Sequence, residues 1–243
     1  MKNKLLATVA LAASLVLMAP AAHATLLCLP PVAPGATISP VTNDTCPADL
    51  AIIAGSTVAS TTGPITFTAQ HATPITIGTY EEEVKKEASG TLDFFIQVNV
   101  TGGTPTNEAS IESISAGIFS LAGLTTNVGT VSSVQLLSGP AGTVAPSSVS
   151  RSLTGATFTF PFHPFITVGK ASYTIAISTN ATAFTSCTGC VAIDTTDLGV
   201  ALESGFEPTS IASPVPEPVS IILLGTALAL SAVFIRRRHG SKA

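Results

Sequence analysis

The chain of 243 residues contains no tryptophan, two tyrosines (Tyr80 and Tyr173), four histidines and only ten lysines and arginines. Each scarcity excludes something. Sugar sites usually present planar rings for stacking, so the shortage of Trp and Tyr weighs against a carbohydrate-binding surface, with eleven phenylalanines as the only other candidates. Between Thr25 and Pro214 the basic residues are Lys85, Lys86, Arg151 and Lys170 against thirteen acidic ones, a net charge of minus nine, which argues against nucleic acid as a partner. The same interval holds two histidines, His71 and His163, and has no Gly-x-Ser-x-Gly elbow, no His-Glu-x-x-His pair and no phosphate-binding loop. No catalytic residue, cofactor or metal is therefore expected. His163, set between Pro161-Phe162 and Pro164-Phe165, reads as a packed loop histidine.

What is present concentrates at the two ends. The hydrophobic share of 46% and the mean hydropathy of +0.54 are raised by two membrane-directed segments. Lys2 and Lys4 precede an apolar stretch from Leu5 to Met18, and Ala22-His23-Ala24 fits a small-residue cleavage site, so residues 1–24 read as a secretory signal peptide and signal peptidase as a partner. Cys28 does not directly follow a lipobox cleavage site, which argues against a lipid anchor. At the other end Val219 to Ile235 is predominantly apolar and as a helix spans roughly 26 Å, a little short of the ~30 Å hydrocarbon core, which a snorkelling Arg236 compensates. Arg236, Arg237 and Arg238 then form a basic stop that the positive-inside rule holds in the cytoplasm, leaving the 239–243 tail inside and Thr25 to Pro214 on the outer side.

The interior alternates with a period of two. Leu92, Phe94, Ile96, Val98 and Val100 fall on one face, with Thr91, Asp93, Gln97 and Asn99 on the other and Phe95 the exception, which predicts a half-buried strand over 91–100. Further strands are expected at 65–69, 75–80, 113–121, 131–137, 156–162, 173–179 and 198–202, separated by Gly and Pro turns. The fold class is all-β: an antiparallel β-sandwich over 49–204, after a Pro- and Cys-containing segment over 25–48 and before a spacer over 205–215. The run Glu81-Glu82-Glu83-Val84-Lys85-Lys86-Glu87 is expected on the solvated tip or outer face of a hairpin closed near Gly90.

Four cysteines in an oxidising compartment, Cys28, Cys46, Cys187 and Cys190, favour two disulfides. The simplest pairing joins Cys28 to Cys46 and Cys187 to Cys190; crossed pairings stay open. Strand-like flanks argue against a redox role for Cys187-Thr188-Gly189-Cys190, and the spacing of Cys28 and Cys46 against a zinc site. Asp93, Glu108, Glu112, Asp194 and Asp197 are the carboxylates from which a glycosidase pair would have to come, and Asp194 to Asp197 reads as a solvated turn.

Pro216-Glu217-Pro218, the apolar run and the arginine stop stand in one order at the C-terminus. That order resembles the PEP-CTERM sorting signal of exported Gram-negative proteins, here 216–238, whose partner is a membrane-embedded exosortase. The segment from Gly78-Thr79-Tyr80 through Gly90-Thr91-Leu92-Asp93-Phe94 to Gln97-Val98 is similar to a hairpin recurring in exported domains that carry this tail. The resemblance implies transient anchoring in the inner membrane, then delivery to the cell surface or extracellular matrix, and a structural or adhesive, non-enzymatic role beside extracellular polysaccharide. A carbohydrate-binding module or hydrolase acting on that polymer is the alternative, and a permanent single-pass anchor is the alternative for the tail.

Overall fold

The computed structural model describes residues 32–39, 55–67, 74–102, 110–131 and 139–211. The expected signal segment with Ala22 and Ala24, the cysteines Cys28 and Cys46, and the tail with Pro216, Glu217, Pro218 and Arg236 to Arg238 lie outside these residues.

The described residues are all-β, in twelve strands: β1 (Thr37–Ile38), β2 (Ser56–Phe67), β3 (Ile75–Lys86), β4 (Leu92–Val100), β5 (Ile111–Ala116), β6 (Thr126–Val131), β7 (Val149–Arg151), β8 (Phe158–Ile166), β9 (Lys170–Ala171), β10 (Thr174–Thr179), β11 (Ala181–Thr195) and β12 (Gly199–Ile211). They form two antiparallel sheets. One runs β2-β3-β4-β10-β6, with β9 pairing β4; the other runs β1-β7-β8-β5-β11-β12. Side chains alternate across each strand, so the facing surfaces of the two sheets supply one core, as in a β-sandwich. Leu92, Phe94, Ile96 and Val98 of β4 and Ile175 and Ile177 of β10 meet Ile114 of β5, Phe158 and Phe160 of β8, and Val191 and Ile193 of β11.

Phe119 stands between the sheets. Its ring packs edge-on against Phe94 of β4 at 5.3 Å and against Phe158 of β8 at 5.5 Å. Strand β5 ends at Ala116 rather than running on to Leu121 as expected, because the chain turns at Ile118, whose φ of 67° is a left-handed conformation a β-branched residue rarely adopts. The bend is held by the Phe119 amide donating to Ala156 O at 2.8 Å. Arg151 secures the same end of the sandwich. Its guanidinium donates to the carbonyls of Val32, Phe119 and Gly155 and lies 4.9 Å from the Phe158 ring. Burial lowers its pKa, and the three carbonyls supply the compensating hydrogen bonds.

Three other expectations are corrected. Strand β4 is buried on both faces: Asp93 and Phe95 are as inaccessible as Phe94 and Ile96. Its central place between β3 and β10 lets neighbouring side chains cover the outer row. Strand β11 is the longest of the described strands, yet its first half, Ala-Thr-Ala-Phe-Thr-Ser-Cys-Thr-Gly, carries no hydrophobic alternation to announce it. Strand β12 continues past Ser204 to Ile211, over residues expected to begin a spacer, because β11 supplies partners as far as Ala181↔Ile211. The remaining expected strands overlap observed ones, and residues 132–138 lie outside the described set.

Ile96 is fully buried at the centre of the core. Ile96→Ala should therefore lower unfolding free energy by about 2 to 5 kcal/mol. Chemical denaturation followed by far-UV circular dichroism measures it, and a loss below about 1 kcal/mol would contradict the packing described.

Candidate functional site

The buried ionisable groups of the described residues gather around β3. The hairpin β3–β4 is closed by a turn in which Gly90, at φ 89°, donates to Glu87 O at 2.9 Å, while Glu87 N donates to Thr91 O at 2.9 Å. The hydroxyls of Ser89 and Thr91 donate to the Glu87 carboxylate at 3.0 Å each. The tip near Gly90 matches expectation. The charged run before it is only partly in solvent: Lys86 is exposed, but Glu82 is 1% exposed, Glu83 6% and Lys85 8%. The reason is position in the sheet. With β2 on one side and β4 on the other, β3 is an interior strand, and alternation sends Glu82 inward while neighbouring side chains of β2 and β4 flank Glu83 and Lys85 on the outer face.

Glu82 is on the core side. It lies opposite Ile96, in the same row as Tyr80 and Val84, and points at the edge strand of the other sheet. There the Phe206 amide of β12 donates to Glu82 Oε2 at 3.1 Å. Gly205 completes the fit, since a Cβ at that position would collide with Glu82 Oε2. Across from Gly205 the β11–β12 register shifts between Cys187 and Val191, where four steps along β11 face two along β12. The Cys187–Cys190 disulfide closes this bulge, with Cα atoms 6.0 Å apart and Gly189 at φ 75°. Glu203 of β12 and Tyr80 share the seam. Burial raises the Tyr80 pKa against a hydrogen bond with Thr61, with Glu203 and Glu82 adding to the rise, and burial raises Glu203 against a backbone hydrogen bond from Thr66. Burial pushes the Glu82 carboxyl up to about 8, and the Phe206 amide only partly counters this.

The opposite side of the hairpin carries a second cluster. Glu83, Lys85, Asp93 and Phe95 share the outer face of the sheet, Glu83 opposite Phe95 and Lys85 opposite Asp93. Lys85 Nζ is 3.9 Å from Glu83 Oε1 and 5.8 Å from the centre of the Phe95 ring. The Thr57 hydroxyl of β2 donates to Glu83 Oε1. Asp93 is fully buried, and neither of its oxygens has a hydrogen bond of normal geometry. Burial first, and the nearby Glu87 carboxylate second, push Asp93 up to about 8, outweighing the lowering influence of Ser178 and Thr179.

The other candidate residues are dispersed. Asp93 belongs to the outer face of one sheet, whereas Asp194 pairs with Ser113 and Val200 on the outer face of the other, so the two cannot form a carboxylate pair. Asp197 is exposed in the β11–β12 turn, which is organised by Thr195: its hydroxyl donates to Gly199 O and accepts from the Leu198 amide, both at 3.0 Å. Glu108 and His71 lie outside the described residues. His163 is a correction: it is exposed within β8, its ring 5.3 Å from that of Phe165, and not packed in a loop. Among the described residues no group of three or more His, Cys, Asp or Glu converges as metal ligands. Sequence reasoning missed Glu82, Glu83 and Lys85 as buried groups. The signal was available for Glu82, since the alternation Tyr80, Glu82, Val84 continues an apolar row.

The Glu82 shift fixes a sign. Its folded pKa lies above the unfolded value, so between about pH 4.5 and 8 the native state binds more protons and stability falls as pH rises. Asp93 contributes in the same direction, so the comparison must be with Glu82→Gln, which removes the Glu82 share alone. Wild type should lose about 3 to 5 kcal/mol more than the variant across that window. Parallel denaturation series at pH 5 and pH 8.5 provide the test, and identical pH slopes would show that Glu82 is not the buried acid described.

No family model, no curated protein and no solved structure matches this chain.

Proposed function

We propose that the protein is exported and sorted through a PEP-CTERM/exosortase pathway, and that its β-domain serves a structural or adhesive role at the cell surface or in the extracellular matrix. The observation that carries this reading is the order Pro216-Glu217-Pro218, apolar run, Arg236-Arg237-Arg238. Two membrane-directed segments bracket an acidic, Thr- and Ser-rich domain, and this supports delivery to the outer side, with Arg236 to Arg238 retained in the cytoplasm until processing. Strand β12 ends at Ile211, and only four residues, 212–215, precede the triplet. Cleavage near Pro216 therefore removes no described strand.

Asp93 and Asp194 are on opposite outer faces, and Tyr80 is buried in the seam beside Glu82, so neither an Asp93–Asp194 carboxylate pair nor a Tyr80 stacking platform supports the alternative of a sugar-binding module or hydrolase. The Cys187–Cys190 disulfide fits an oxidising compartment. Extracellular polysaccharide is the expected surrounding polymer, and exosortase and signal peptidase are the expected processing partners.

Glu217→Ala separates sorting from plain anchoring, because the apolar run serves both and only sorting needs the triplet. The variant should insert normally and accumulate as full-length, membrane-bound precursor, whereas wild type should lose Arg236 to Arg238 on reaching the surface. Mass spectrometry of surface and membrane fractions checks both. Surface protein that retains the arginines, together with a variant indistinguishable from wild type, would replace sorting by a permanent single-pass anchor.

A further inference from the structure

We propose that the tip of the β3–β4 hairpin binds a hard divalent cation of the size and charge of Ca²⁺, held by the carboxylates of Glu87 and Asp93 and the hydroxyls of Ser89, Thr91 and Ser178. Register alone brings these side chains together. Asp93 is opposite Lys85, and Glu87 N donates to Thr91 O at 2.9 Å, so alternation sets Glu87, Thr91 and Asp93 on the same outer face of the sheet. Glu87 and Asp93 are diagonal neighbours on that face, within reach of long side chains, and Ser178 of β10 stands directly opposite Asp93 on its other side. The turn between the strands contributes Ser89. Its Oγ is 2.7 Å from Thr91 Oγ1, and each of these hydroxyls is 3.0 Å from Glu87 Oε2.

An acid and two hydroxyls at a turn are by themselves an ordinary hairpin tip; Asp93 is what points to a ligand. It is 0% exposed, and neither of its oxygens has a hydrogen bond of normal geometry. The groups that act on its carboxyl are Glu87, Ser178 and Thr179, which directs it toward the other members of the site. A carboxyl withdrawn from water without donors is unfavourable, and a second carboxylate beside it makes it more so. A divalent cation between the two removes both penalties, taking the place of the proton that burial and Glu87 hold on Asp93. The donors select the ion. All are oxygens, which suits Ca²⁺ or Mg²⁺ over zinc or copper. Two carboxylates, each able to bind through both oxygens, and three hydroxyls approach the roughly six to eight ligands of Ca²⁺, whereas side chains of such unequal length do not offer the near-ideal octahedron that Mg²⁺ demands. Ser89 is exposed and Glu87 and Thr91 are half-buried, so the ion enters from solvent with Asp93 as its innermost ligand.

Equilibrium dialysis of the purified full chain against radioactive calcium tests the site. Wild type should take up calcium with a Kd on the order of 10⁻⁴ to 10⁻³ M, the range of extracellular modules. Asp93→Asn and Glu87→Gln keep the shape of each side chain and remove one charge, and each should weaken that uptake by roughly ten-fold or more, because affinity follows the number of charged ligands. Far-UV circular dichroism checks that both variants are folded; should Asp93→Asn fail to fold, Glu87→Gln at the half-buried turn position decides. Mg²⁺ should displace the calcium at least about ten-fold less effectively than unlabelled Ca²⁺ does. No uptake by wild type, or uptake unchanged in the folded variants, would overturn the proposal. Equally effective displacement by Mg²⁺ would overturn the assignment to calcium.

Discussion

The structure depends on the interior position of the β3–β4 hairpin. Both strands have neighbours on each side in the sheet, and a segment containing Glu82, Glu83, Lys85 and Asp93 is buried there. An unpaired charge cannot remain there, because removing it from water costs several kcal/mol unless a partner or a proton offsets the loss. The molecule answers differently on the two sides of the hairpin. Toward the core, Glu82 takes a backbone amide from the other sheet and an elevated pKa. On the outer side, Lys85 and Glu83 pair over Phe95 while Asp93 keeps its proton.

The Glu82 contact also explains why β12 has its local form. Gly205 leaves space for the carboxylate, and the bulge in β11 opposite it, stapled by Cys187 and Cys190, sets where β12 turns its Phe206 amide inward. A short disulfide loop thereby shapes a contact between sheets. Phe119 performs the matching task at the end held by Arg151, where a left-handed Ile118 turns an aromatic ring between Phe94 and Phe158. The two sheets are thus joined by specific contacts in addition to general apolar burial.

If the protein is exported as proposed, these features have a common physical sense. A domain in an oxidising compartment keeps its disulfides, and covalent staples limit the unfolded ensemble. The Cys187–Cys190 disulfide is one such staple.

The sequence by itself determined the all-β class, most strands and the core row of β4, because period-two alternation and Gly-marked turns are local properties. It also determined the hairpin closure near Gly90, while the register that sets Lys85 opposite Asp93 and Glu82 opposite Ile96 came from the structure. The Cys187–Cys190 pairing was one of the connectivities open from spacing, and the structure selected it. Only tertiary structure decided the burial of the charged run, since the same alternation on an edge strand would leave Glu83 and Lys85 in water. It alone decided the full length of β11 and β12, whose polar residues form strands because each supplies the other's hydrogen bonds. Asp93 and Asp194 were separated in the same way, by the assignment of β4 and β11 to different sheets, which depends on long-range pairing that no local pattern encodes.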